Sequence, residues 1–147
     1  MRPTIVYPKA VAIALAVALG SAWPALAETV NLTASLDGAQ QSPTLNIPGK
    51  GSAQLTFDTD TRKLDWTVEY SDLSGPPVMA HFHGPADKGQ NADVAVPFEG
   101  DLASPIKGSA TLTEAQAADL LAGKYYINLH TEAHKGGEIR GQVEKTM

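Results

Sequence analysis

The chain has 147 residues, a net charge of −5, four histidines and no cysteine. An acidic chain without a basic cluster argues against nucleic acid and against anionic membrane surfaces as partners. The lack of cysteine removes disulfides, thiolate metal ligands, cysteine nucleophiles and blue-copper centres from consideration.

Residues 1–27 read as a secretory signal peptide. Arg2 and Lys9 supply positive charge, residues 10–19 form an apolar run, and Ala25-Leu26-Ala27 fits the small-x-small cleavage pattern. The run falls short of the roughly 20 apolar residues that a bilayer span needs. Cleavage after Ala27 leaves residues 28–147 as a periplasmic or secreted chain, with no membrane insertion expected once the signal is removed. That length suits one domain with its own core.

Short strands with turn punctuation follow. Val30, Leu32, Ala34 and Leu36 alternate with polar neighbours, which predicts a half-buried strand ended by Asp37-Gly38. Pro43, Pro48 and Gly49 mark residues 39–50 as a loop. Ala53, Leu55 and Phe57 on one arm, and Leu64, Trp66, Val68 and Tyr70 on the other, predict a hairpin. Gly75-Pro76-Pro77 interrupts regular structure, and a strand over 78–83 is stopped by Gly84-Pro85. Residues 94–98 form a further strand, placed at an edge by Pro97, and residues 107–112 another. Thr113 and Gln116 make a capping box that satisfies the first free amides of a helix, and Gly123 stops it. Strands over 125–131 and 138–143 complete the chain. The pattern predicts a mainly-β fold: a Greek-key-like antiparallel β-sandwich of about eight strands with one short helix.

All four histidines fall in two short segments, His81-Phe82-His83 and His130-Thr131-Glu132-Ala133-His134. Residues i and i+2 of a strand share a face, so His81 and His83 project together while Phe82 points into the core. His130 ends a strand whose core face is Tyr125, Ile127 and Leu129, and it shares the other face with Tyr126 and Asn128. If the two strands are neighbours, His81, His83, His130 and His134 converge on one metal ion. Imidazole ligands suit Zn(II) or Cu(II), and Met79 on the His81 face adds a thioether that tips the choice slightly toward copper. Asp87, Asp93, Glu132 and Glu138 are candidate acceptors for the outward N–H of a ligating imidazole. The competing reading is that these histidines are hydrogen-bonded structural groups.

At these residues the chain resembles the CHRD (chordin-type) family. The resemblance is carried by His81-Phe82-His83-Gly84-Pro85-Ala86, by Tyr125-Tyr126-Ile127-Asn128-Leu129-His130-Thr131, and by His134 with Gly136-Gly137-Glu138-Ile139-Arg140-Gly141-Gln142. It spans nearly all of residues 28–147 and resembles the single-domain exported bacterial type. It implies a single β-rich domain; CHRD domains occur in animal chordin, which binds growth factors of the bone-morphogenetic class. Lys135 departs from the motif, where proline is common. A weaker similarity is to copper–zinc superoxide dismutase, which also pairs histidines as H-x-H on a sandwich strand. The long zinc loop and disulfide cysteines of that family are missing here.

Glu138 and Arg140, two apart on one strand, read either as an ion pair or as a place for a carboxylate partner. No nucleophile elbow, phosphate loop or dinucleotide fingerprint is present. The leading expectation is an exported binding protein with a histidine-lined copper or zinc site in envelope metal handling, its partners a metal ion and another envelope or extracellular protein. A superoxide-dismutase-like metalloenzyme ranks behind it, beside a metal-free protein-interaction domain.

Overall fold

The computed structural model describes residues 27–147, so the predicted signal peptide, apart from Ala27, lies outside the described residues. The strands are β1 (Thr29–Asp37), β2 (Lys50–Asp58), β3 (Lys63–Ser71), β4 (Pro77–His83), β5 (Val94–Pro97), β6 (Ile106–Thr111), β7 (Tyr126–Thr131), β8 (Ile139–Gln142) and β9 (Glu144–Lys145). A 3-10 turn, Gly38–Gln40, follows β1, and the helix α1, Glu114–Leu121, precedes β7. The strands form one antiparallel nine-stranded sheet in the order β5-β4-β7-β8-β1-β2-β3-β6, with β9 on β1. Its inner face closes around a single core; the fold is mainly β with one short helix, as the strand pattern predicts, and takes the form of a nearly closed sandwich. Among the described residues no helix is long and apolar enough to cross a membrane.

The local signals act as their chemistry dictates. Leu32, Ala34 and Leu36 of β1 are buried, and so are Ala53, Leu55 and Phe57 of β2 and Leu64, Trp66 and Val68 of β3. The β2–β3 register sets Leu55 opposite Trp66 and Phe57 opposite Leu64, so the apolar alternation meets across the hairpin. Thr113 caps α1 by accepting from the Gln116 amide while the Gln116 side chain accepts from the Thr113 amide. β5 lies at one end of the sheet, where its proline removes no ladder bond from a central strand.

Three aromatic rings join the two walls. Trp66 of β3 meets Phe82 of β4 edge-on at 5.1 Å and stacks on Phe98 at 4.9 Å, while Phe82 and Phe98 are 5.0 Å apart. Gly108 of β6 makes room for the indole, since a Cβ there would run into the Trp66 ring. Phe82 is fully buried, and this anchors the strand that carries His81 and His83 on its other face.

One part of the expected layering is incomplete. The sequence predicts β7 as a strand with one core face, but every residue of β7 and β8 is buried. The second face is covered by loops. Gln41 donates to the Asn128 side chain at 2.8 Å, and the Ala92 amide donates to the Tyr126 hydroxyl at 3.1 Å. Beneath these loops lies a polar layer of Gln41, Asn128, His130, Thr131, Glu138, Arg140 and Gln142, all buried. Buried polar groups need partners, and the loops supply most of them.

Candidate metal centre

β4 and β7 are paired neighbours, with Met79 opposite His130 and His81 opposite Asn128. His130 therefore stands on the strand beside the His81–His83 pair, on the same face. His81 Nδ1 lies 3.2 Å from His130 Nε2. The ring centroids of His81 and His83 are 5.4 Å apart, those of His81 and His130 5.0 Å, and those of His83 and His130 6.0 Å. One ring nitrogen of each residue falls within 4.8 Å of the others. Three nitrogens at about 2.0–2.1 Å from a tetrahedral ion are about 3.4 Å apart, so small ring rotations bring this set onto a metal.

Two backbone carbonyls orient the rings. His130 Nδ1 donates to Lys135 O at 2.9 Å, and His83 Nδ1 donates to Ala92 O at 3.0 Å. A carbonyl can only accept, so each neutral ring carries its proton on Nδ1 and presents a bare Nε2 lone pair. The His83 Nε2 is buried and has no hydrogen-bond partner. Buried polar atoms are nearly always satisfied, and an orphan nitrogen beside two further imidazoles has the chemistry and the place to serve as a metal ligand.

Tyr126 stiffens the site from below. His83 stacks on its ring at 4.9 Å with the planes 2° apart, and the Arg140 guanidinium lies 3.5 Å from its centroid. Gly137, at φ +117°, passes against the Asn128 amide, where a Cβ would collide. That close approach brings the returning loop down and with it the Lys135 carbonyl that holds His130.

Not every predicted residue joins the cluster. His134 is outside the set of three; its amide bonds Thr131, closing the turn after β7. Met79 lies on the same face, opposite His130, and is 45% exposed. None of the candidate carboxylates partners an imidazole. Asp87 pairs with Lys124, and Glu132 pairs with Lys135 at 3.4 Å, both at the surface. Glu138 accepts from the Ser74 amide at 2.7 Å, from the Ser74 hydroxyl at 2.6 Å and from the Thr131 hydroxyl at 2.5 Å. Burial pushes its carboxyl up, but those bonds and the nearby His134 outweigh it and hold it below the usual carboxylate range. The ion-pair reading of Glu138 with Arg140 is corrected too: each has other partners. The two imidazole acceptors, Ala92 O and Lys135 O, have no sequence signature, because any residue offers a carbonyl.

Burial depresses the affinity of His81 for protons, and the charges that His130 and His83 acquire on protonation depress it further. Burial also lowers that of His83, helped by His130 and Arg140 and opposed by the Ala92 hydrogen bond and Asp93. Both rings thus stay neutral below the ordinary histidine value of about 6.5, whereas in the unfolded chain they protonate near it. The unfolded state binds more protons in that window, so stability is full above about pH 6.5 and falls as pH drops through the depressed folded values. Urea unfolding of metal-free protein between pH 7.5 and 5 is expected to show this loss, and a His81→Asn, His83→Asn double variant to flatten it. An equal slope in both proteins contradicts the assignment.

An all-antiparallel sandwich with a histidine cluster at the junction of two adjacent strands is a binding-type scaffold. The chain belongs to the CHRD family: the CHRD domain model matches residues 32–143, which takes in most of β1, all of β2 to β8 and all four histidines. Neither the search of curated proteins nor the search of solved structures returned a match.

Proposed function

We propose that this CHRD domain is an exported binding protein that holds one copper or zinc ion on His81, His83 and His130. The observation that carries the reading is the buried, unpartnered Nε2 of His83, with its Nδ1 already committed to Ala92. A ring with no metal to bind would gain by turning this nitrogen toward a donor. The carbonyl-tied rings of His83 and His130 are of the kind found around ligating imidazoles, whose far N–H is usually held by an acceptor. In the metal-free protein His81 Nδ1–H donates to the His130 lone pair; binding needs a change of His81 tautomer and small rotations of the rings.

Three protein nitrogens leave a fourth position for water, for a partner's side chain or for the Met79 sulfur. Met79 supports copper, since a thioether favours Cu(I). The export reading rests on the residue pattern of segment 1–27 and places the domain in the periplasm or outside the cell. Three ligands, an exposed rim and no nucleophile motif favour metal binding or handling over catalysis.

Equilibrium dialysis against Cu(II) and Zn(II), followed by metal analysis, tests the proposal. One equivalent is expected to remain with the protein at pH 7.5 and to be released as the histidines protonate below about pH 6.5. Retention well below one equivalent for both metals contradicts it.

A further inference from the structure

A second unsatisfied centre lies on the far side of Tyr126. Arg140 is 1% exposed, among the most deeply buried large side chains of the domain. Its guanidinium donates to two neutral groups, Asn91 Oδ1 at 3.0 Å and Gln90 O at 2.6 Å, and lies over the Tyr126 ring. Among the described residues the ion pairs join Lys63 to Asp65, Lys124 to Asp87 and Lys135 to Glu132, and none reaches Arg140. Burial pushes its proton affinity down from the usual arginine value, and the Tyr126 phenol is the one group that opposes this. A buried cation without a counter-charge is costly, and buried charges are as a rule paired.

The space for a counter-charge is present. A cavity of about 520 Å³ opens beside Arg140, between the loop that follows the 3-10 turn and the loop holding Lys88 and Gly89. The Asn91 side chain ties the two loops together by donating to Ser42 O at 3.3 Å. Gln40, Gln41 and Gln142 also line the cavity, with Lys88 as its second cation. Gln142 is buried and its Nε2 donates to both Ala86 O and Gly123 O, which fixes the amide and leaves its Oε1 without a partner.

We propose that this cavity is a binding site for a small organic carboxylate, with Arg140 as its main anchor and Lys88 as its second charge. The guanidinium has five N–H donors, of which neutral groups occupy two, and its planar fork matches a carboxylate. Two cations among neutral amides balance the one or two negative charges of a mono- or dicarboxylate. The volume is that of a small-molecule pocket. The site does not depend on the metal reading, because its residues are separate from the three histidines.

Thermal unfolding of metal-free protein, titrated with succinate, inorganic phosphate or sodium chloride at matched ionic strength, tests the assignment. Succinate is expected to raise Tm saturably and chloride not to, as for any ligand that binds the native state alone. Arg140→Gln is expected to abolish the shift, and Lys88→Ala to weaken binding by about 2–5-fold, the scale of one exposed charge contact. No saturable response to succinate overturns the proposal, and so does a response that survives in folded Arg140→Gln. Phosphate binding at least as tightly as succinate overturns the choice of carboxylate. Where Arg140→Gln does not fold, Lys88→Glu replaces it: affinity unchanged by that charge reversal overturns the proposal, and a loss of threefold or more supports it.

Discussion

Replacing His130 or His83 with alanine is expected to weaken copper and zinc binding by more than about 100-fold, beyond the 10–100-fold typical of losing a group that only supports a ligand. Each change removes one of three nitrogens that lie within 4.8 Å of one another. The two are also the rings whose orientation is fixed by backbone carbonyls, so the sheet supplies no substitute donor in the same place. His134→Ala provides the contrast. That residue lies in the turn after β7, outside the cluster, and its loss is expected to leave affinity unchanged. Met79→Leu separates the metals, with Cu(I) binding weakened and Zn(II) binding unaltered. Competition titrations against a chromophoric chelator give all four affinities. Equal losses for His134→Ala and His130→Ala would remove the three-histidine assignment.

Phe82→Ala is expected to carry the largest effect on stability, about 3–5 kcal/mol by urea unfolding, the range for emptying a buried aromatic position. Phe82 has no exposed surface and touches Trp66 of β3 across the core and Phe98 at the end of the neighbouring β5. Its ring is the point where β4 is held to the rest of the core. Phe82→Leu keeps most of the volume and is expected to cost under about 1.5 kcal/mol while retaining the metal. A loss below 1 kcal/mol for the alanine variant would show that the aromatic cluster does not join the two walls as described.

Both expectations draw on β4, the first together with β7, and β4 is where most of the site is legible in the residues. The alternation His81-Phe82-His83 encodes both facts, an imidazole pair on one face and a core anchor on the other. Likewise Thr113 and Gln116 announced α1, and the paired alternations of β2 and β3 announced their hairpin. These are local signals, read within a few residues of each other. The adjacency of β4 and β7 is long-range, and the sequence supported it only through the second histidine segment and the family motif.

What the residues did not reveal has a common cause. The second buried face of β7 and β8 depends on loops folding back over it, and loop paths leave no periodic trace. Acidic side chains near the histidines in sequence were expected to hold them. Instead Glu138 turns to Ser74 and Thr131, and Asp87 and Glu132 take lysines at the surface. Carbonyls took the role at Ala92 and Lys135. The departure from proline at Lys135 therefore falls on the residue whose carbonyl orients a ligand candidate. Arg140 and Glu138 looked like an ion pair because they are two apart, yet each is engaged elsewhere. The pair was misread because strand spacing specifies a face and not a partner.

X-ray absorption at the metal edge of protein loaded with one equivalent of copper or zinc tests the three-imidazole centre most directly. The predicted spectrum has about three nitrogen scatterers near 2.0–2.1 Å with the outer-shell features of imidazole rings, and one fewer in His83→Ala. A coordination sphere of oxygen atoms alone, unchanged in that variant, would contradict the account.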